Sequence, residues 1–132
     1  MVAVTPDDAP CPCGTGVALG GCCGRFLASR GGAAAPTAER LMRSRYTAFA
    51  VGDLDHLHAT WHPSTRPAAL KDDPSTTWTG LQVTGTTGGG LFDREGTVAF
   101  RAAFRTAGVD DVLVEDSRFV KEDGRWWYVA PV

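Results

Sequence analysis

Gly96-Thr-Val-Ala-Phe-Arg-Ala-Ala-Phe-Arg-Thr106 carries Val98, Phe100, Ala102 and Phe104 on one parity, and Thr97, Arg101 and Arg105 on the other. A period of two marks a strand with one face against a core and the other in water. Downstream, 111–122 and 126–132 read as two more strands, and Asp123-Gly124 between them is a hairpin signal. Upstream, 78–87 is a fourth candidate strand, closed by Gly88-Gly89-Gly90, which reads as a flexible break. The proline- and aspartate-bearing segment 64–77 reads as loop. Before it the period changes to that of helices. Helices first and hairpin-linked strands afterwards define an α+β domain with an antiparallel sheet.

Thr37 is placed as an N-cap, Glu39 suits the positive end of a helix, and Gly52 is a natural stop. Between them Ala38, Leu41, Met42, Arg45, Tyr46 and Phe49 recur at helical spacing. A second helix opens at Asp53, carries Leu54, Leu57 and Trp61, and ends at His62-Pro63. Arg45 falls near the centre of the first helix's apolar stripe, where a charge needs a partner. Strand parity puts Glu115 and Ser117 on the same face as Leu113 and Phe119, so an Arg45–Glu115 pair with Ser117 alongside is expected. Two interpretations stand: a buried ion pair that registers helix on sheet, or the floor of a pocket. In the second, Tyr46, Trp61, His62 and Arg66 join the lining, and Glu115 and His62 are the candidate acid/base residues.

The chain has 132 residues, 13 Lys+Arg against 15 Asp+Glu, and a formal net charge of -2. No global cationic field is available for nucleic acid or an anionic membrane. No window reaches the roughly 18 apolar residues of a spanning helix, and the first eight residues lack a basic and an apolar leader region, so a cytoplasmic location is expected. Asn and Ile are absent and arginine far exceeds lysine, a coding bias rather than a sign of RNA binding.

All four cysteines (Cys11, Cys13, Cys22, Cys23) crowd into one short glycine-rich segment. Two short-spaced thiol pairs on a loop that can turn tightly suit a tetrahedral Zn2+ with a closed, structural shell; redox or disulfide chemistry is the alternative. Residues 1–32 cannot bury a core of their own, and the Gly/Ala/Pro run 30–36 separates them from the globular pattern, so the expected division is 1–32 and 33–132. His56 and His58, two apart rather than four, do not form a second metal pair and read as surface or helix-flank residues. Trp126 and Trp127 must face opposite sides of one strand, the outer one more exposed. No dinucleotide fingerprint, phosphate loop or nucleophile elbow is present.

Cys-Pro-Cys-Gly-Thr-Gly followed by Cys-Cys-Gly at 22–24 resembles the SEC-C zinc motif, although Val17-Ala18-Leu19 stands where such loops carry lysines and an aromatic. The stretches 35–49 and 60–67, then Trp78-x-Gly80-Leu81, Glu115-x-Ser117-Arg118-Phe119 and Gly124-Arg125-Trp126-x-Tyr128, resemble the YchJ-like family. That resemblance implies an NTF2-like cone of curved sheet closed by helices, behind an N-terminal SEC-C knuckle. It implies a fold and a zinc ligand set but names no activity, and such domains often pair into homodimers through the outer sheet face. The leading expectation is a zinc-binding module that binds a protein partner or a small ligand. The rival is an isomerase- or dehydratase-type enzyme working in the cone. A deep pocket reaching Glu115 favours small-molecule chemistry; a filled cone with an apolar patch beside the knuckle favours an adaptor.

Overall fold

Helix α1 (Ala38–Val51) starts where Thr37 accepts a hydrogen bond from the Arg40 amide and ends at left-handed Gly52. Helix α2 (Leu54–Thr60) follows at once, capped by the Asp53 carboxylate on the His56 amide. The computed structural model describes residues 5–71 and 73–132. Four of the eight residues weighed as a leader, and Asp72 of the 64–77 loop, lie outside that description. Among the described residues, no helix is long and apolar enough to cross a membrane.

Strands β1 (Thr76–Gly88), β2 (Glu95–Thr106), β3 (Val109–Glu122) and β4 (Arg125–Pro131) form one antiparallel meander in the order β1-β2-β3-β4. Register shifts interrupt the ladder in β1 at Trp78/Gly80 and Val83/Gly85, and between β3 and β4 at Arg118/Phe119, irregularities of the kind that bend a strand and increase its twist. Register sets Phe100 opposite Glu115 and Ala102 opposite Leu113, so the parity read from the sequence is the concave face. Asp123-Gly124 makes the β3–β4 hairpin with both residues at positive φ, and Ala107-Gly108 does the same between β2 and β3.

The Gly88–Gly90 triplet is a tight junction rather than a flexible break. Gly89 is buried; its amide donates to the Glu95 carbonyl at 2.9 Å, and its carbonyl accepts from Ala38 at 3.0 Å, satisfying a helix-start donor of α1. A side chain at Gly96 has no room, since its Cβ would lie 2.5 Å from Gly89 Cα.

The core is continuous from end to end. Leu41 and Met42 of α1 and Leu57 of α2 pack with Val98, Ala102, Phe119 and Trp126 of the sheet, and the same cluster runs into Leu19, Phe26, Leu27 and the four cysteines. The indole of Trp126 donates to the Pro36 carbonyl at 3.2 Å, tying β4 to the start of α1. Trp127 turns outward and is half-buried beside Arg125 and His62.

Candidate functional site

The Sγ atoms of Cys11, Cys13, Cys22 and Cys23 lie within 4.8 Å of one another, and all four residues are buried. Short backbone bonds fold the loop so: the Cys11 amide donates to the Val17 carbonyl at 3.0 Å, Leu19 to Ala9 at 2.8 Å, and Gly14 to Cys11 at 3.1 Å. Glycine is required after the second cysteine pair, because a Cβ on Gly24 would lie 2.6 Å from the Leu19 carbonyl oxygen. Leu19 is itself fully buried, so the part of the loop that departs from the motif supplies core through Leu19 and leaves Val17 and Ala18 exposed.

The four cysteines are free thiols. Four sulfurs at ~2.3 Å from one tetrahedral ion stand just under 4 Å apart, and Cys13 and Cys22 are 3.6 Å apart. Sulfur hydrogen bonds from Cys13 and Cys23 hold the Cys11 thiol far below its ordinary range, while bonding to Cys11 pushes Cys13 and Cys23 up. Such a cluster stays fully ionised only when a cation balances it. Hydroxyls surround it: Thr47 of α1 is 3.6 Å from Cys11 Sγ and Thr15 is 3.2 Å from Cys22 Sγ. Arg43, paired with Glu39 at 2.9 Å, donates to the Cys13 carbonyl at 3.1 Å. The arrangement could hold a metal ion and offers it four protein ligands.

The concave face of the sheet and α1 line a half-open cavity of about 320 Å³. Trp78, Phe100, Leu113 and Phe119 wall it from the sheet, Met42 and Phe49 from α1. Phe49, counted into the buried stripe from its spacing, is 46% exposed and lies 5.9 Å from the Trp78 ring. Arg45, Tyr46, Trp61, Glu115 and Ser117 also line this cavity, together with Tyr128.

Arg45 is 6% exposed, yet no carboxylate lies within 4.0 Å of it among the described residues, so the expected Arg45–Glu115 ion pair does not form. Its Nη1 instead donates to the Leu57 carbonyl at 2.9 Å and to Thr60 Oγ1 at 2.7 Å. The guanidinium stacks against the rings of Tyr128 at 4.4 Å and Trp61 at 5.1 Å. The C-terminal turn of α2 offers a cation carbonyl oxygen and the negative end of a helix, which is why the side chain turns there. Burial brings the Arg45 pKa down to about 10, with Tyr128 and Glu115 opposing.

Glu115 is held from its own side. Its Oε2 accepts from the Ser117 hydroxyl and from Tyr128 OH at 3.4 Å. Burial and the adjacent Glu115 charge push the Tyr128 pKa up to about 12, which keeps the phenol protonated as a donor. Tyr128 thus touches both charged residues, a role that strand parity with Trp126 placed inward without revealing. Thr60 carried no sequence signal, because its link to Arg45 depends on how α2 docks.

His62 and Arg66 do not wall the cavity. His62 Nε2 is 3.0 Å from Glu122 and Nδ1 2.7 Å from Ser64, on the side of Trp127, and Arg66 donates to the Trp61 carbonyl at 3.0 Å. His62 is therefore a turn residue after α2. His58 is exposed. His56 is not a surface residue: it is 2% exposed, accepting at Nδ1 from the Ala28 amide at 3.3 Å and lying 2.9 Å from Ser44 Oγ. Burial drives its pKa down to about 4. Ser29 donates to Asp53 Oδ2 at 2.8 Å, so the start of α2 clasps 28–30, a contact that helix periodicity cannot anticipate.

Two helices on a four-stranded antiparallel sheet, closing an apolar cavity and preceded by a four-cysteine tip, define an NTF2-like domain with a SEC-C-type cluster. The family profile described as "YchJ, middle NTF2-like domain" matches residues 37–131. The chain belongs to this YchJ-like family. It is 53% identical over 119 residues to a UPF0225 protein of Streptomyces coelicolor, covering 90% of this chain and 91% of that one. A UPF0225 protein of Corynebacterium efficiens is 52% identical over 121 residues, covering 92% and 91%. Among solved structures, a SEC-C motif containing protein from Rhodopseudomonas palustris superposes with a TM-score of 0.79 at 34% identity, covering 94% of this chain and 98% of that one. A sec-c motif containing protein from Psychrobacter arcticus gives 0.75 at 27% identity, covering 96% and 83%.

Proposed function

We propose that this protein binds a small molecule in the cone, with a structural Zn2+ on Cys11, Cys13, Cys22 and Cys23 fixing the tip against α1. The cavity carries this proposal: about 320 Å³ lined by largely apolar side chains and by both Arg45 and Glu115. An unfilled cone of this size is at the small end of ligand pockets. The four thiols leave zinc no open position, so any chemistry belongs to the cone. Glu115, with Tyr128 OH as its hydrogen-bond partner, is the one candidate general base there, and His62 has no part in an isomerase- or dehydratase-type variant. An adaptor working through the tip has less support. Among the described residues, exposed large apolar side chains gather on β3 (Val109, Val112, Leu113 and Val114) and just before β2 (Leu91 and Phe92), whereas Val17 is the one on the knuckle.

A thermal-shift screen of small compounds on wild type, Cys22→Ser and Ala102→Leu tests the proposal. Ala102 lines the cavity and is 1% exposed, so leucine there narrows the cavity. Compounds that stabilise wild type and Cys22→Ser, and lose their effect in Ala102→Leu, are the expected result. Stabilisers whose effect ignores Ala102→Leu would place binding elsewhere.

A further inference from the structure

We infer that the compound held in the cone is uncharged, with an apolar body of ring size and one carbonyl-type acceptor oxygen seated at Arg45; this rests on the cone being a ligand site. Arg45 has five N–H donors, and only Nη1 meets protein acceptors, at Leu57 and Thr60. Its Nε and Nη2 have none among the described residues, although the side chain is 6% exposed and lines the cavity. Trp61, on the same wall, has a buried indole N–H with no partner. A buried donor without an acceptor is costly and rare. The Trp61 N–H is one, and together with the free Nε and Nη2 of Arg45, which also lines the cavity, it calls for an oxygen that the described residues do not supply.

Charge limits the class further. Arg45 and Glu115 already contribute one charge of each sign to the cavity. An anion would bring a second negative charge beside Glu115, and a cation a second positive one beside Arg45, both against largely apolar walls. A neutral acceptor meets the donors and leaves this balance unchanged. Most of the remaining wall, from Met42, Phe49, Phe100, Leu113 and Phe119, offers apolar surface to the rest of the compound. At ~30 Å³ for each water-sized group, the cavity of about 320 Å³ takes roughly ten non-hydrogen atoms.

Ethylbenzene, acetophenone and benzoate share a ring and nearly a size, and differ in acceptor and charge. Titrating each into the full, zinc-loaded chain, with affinity and the Trp61 indole N–H resonance as readouts, tests the inference. Acetophenone is expected to bind about tenfold or more tighter than ethylbenzene, and tighter than benzoate, and to shift the indole signal. Arg45→Met should reduce that advantage to roughly threefold or less. Trp61→Phe, which keeps a ring and removes the N–H, should reduce it too and serves if Arg45→Met does not fold. Equal binding of ethylbenzene, or an advantage that survives Trp61→Phe and any folded Arg45→Met, overturns the acceptor and leaves the cone a ligand site. Tightest binding by benzoate overturns the neutral class. If none of the three binds at millimolar concentration, the inference and the proposed ligand site fall together.

Discussion

Arg45 and Glu115 share a cavity without sharing a bond, and that separates two accounts of Glu115. A carboxylate in a buried ion pair would be costly to neutralise, by about 3–5 kcal/mol when one partner is lost. Here Glu115 only accepts hydrogen bonds from Ser117 and Tyr128, which a glutamine oxygen also accepts. Glu115→Gln is therefore expected to change unfolding free energy by less than about 1 kcal/mol; a loss of several in denaturant titration would restore the ion pair. His56 behaves differently, because its neutral ring accepts the Ala28 amide. Its pKa is about 4 when folded against the ordinary 6.5. The unfolded chain therefore takes up the proton first as pH falls. The stabilisation is complete above pH ~6.5, declines through the interval and is lost below ~4, about 3 kcal/mol at most. Asp53 opposes that shift, whereas Arg45 and Arg125 reinforce it. Thiol protonation weakens metal binding over the same range, so the relevant quantity is the difference between wild type and His56→Gln. That difference should shrink as pH falls from 6.5 to 4, and parallel curves would contradict the assignment.

The elements divide into those written locally and those set by docking. Both ends of α1 were legible, since Thr37 and Gly52 act through their own backbone neighbours. The alternation of Val98, Phe100 and Ala102 likewise placed β2's concave face before any neighbour was known. Gly89 was not legible: a glycine triplet reads as freedom, and only packing against α1 turns its carbonyl into a cap for Ala38. The same limit hid Arg45's partners and the burial of His56, both fixed by the seat of α2 against other segments. The cysteine tip was legible because its ligands lie close in sequence and its turns require glycine. Gly24→Ala makes that requirement measurable. Its Cβ would meet the Leu19 carbonyl at 2.6 Å, so the loop must shift, costing about 1–3 kcal/mol and weakening metal affinity in a chelator competition. Unchanged affinity and stability would show that the loop has slack.

Across the whole molecule, tip and cone share one core, with the cysteines in the same buried cluster as Leu41, Met42 and Phe119. Stripping the metal should therefore lower the melting temperature of the entire chain, by about 10 °C or more, in one transition. Two separated transitions would mean that the tip melts alone. The ionisable groups of the cone lie on a different set of residues from the four sulfurs, so in the proposed function bracing of the fold falls to the metal and binding to the cavity. A crystal structure of the zinc-loaded protein soaked in a small neutral aromatic ketone tests this most directly. The account predicts one metal ion on Cys11, Cys13, Cys22 and Cys23 and the compound enclosed between Trp78, Phe100 and Glu115, its oxygen toward Arg45. A cone closed by its own side chains, or the compound found only on the outer surface, would contradict it.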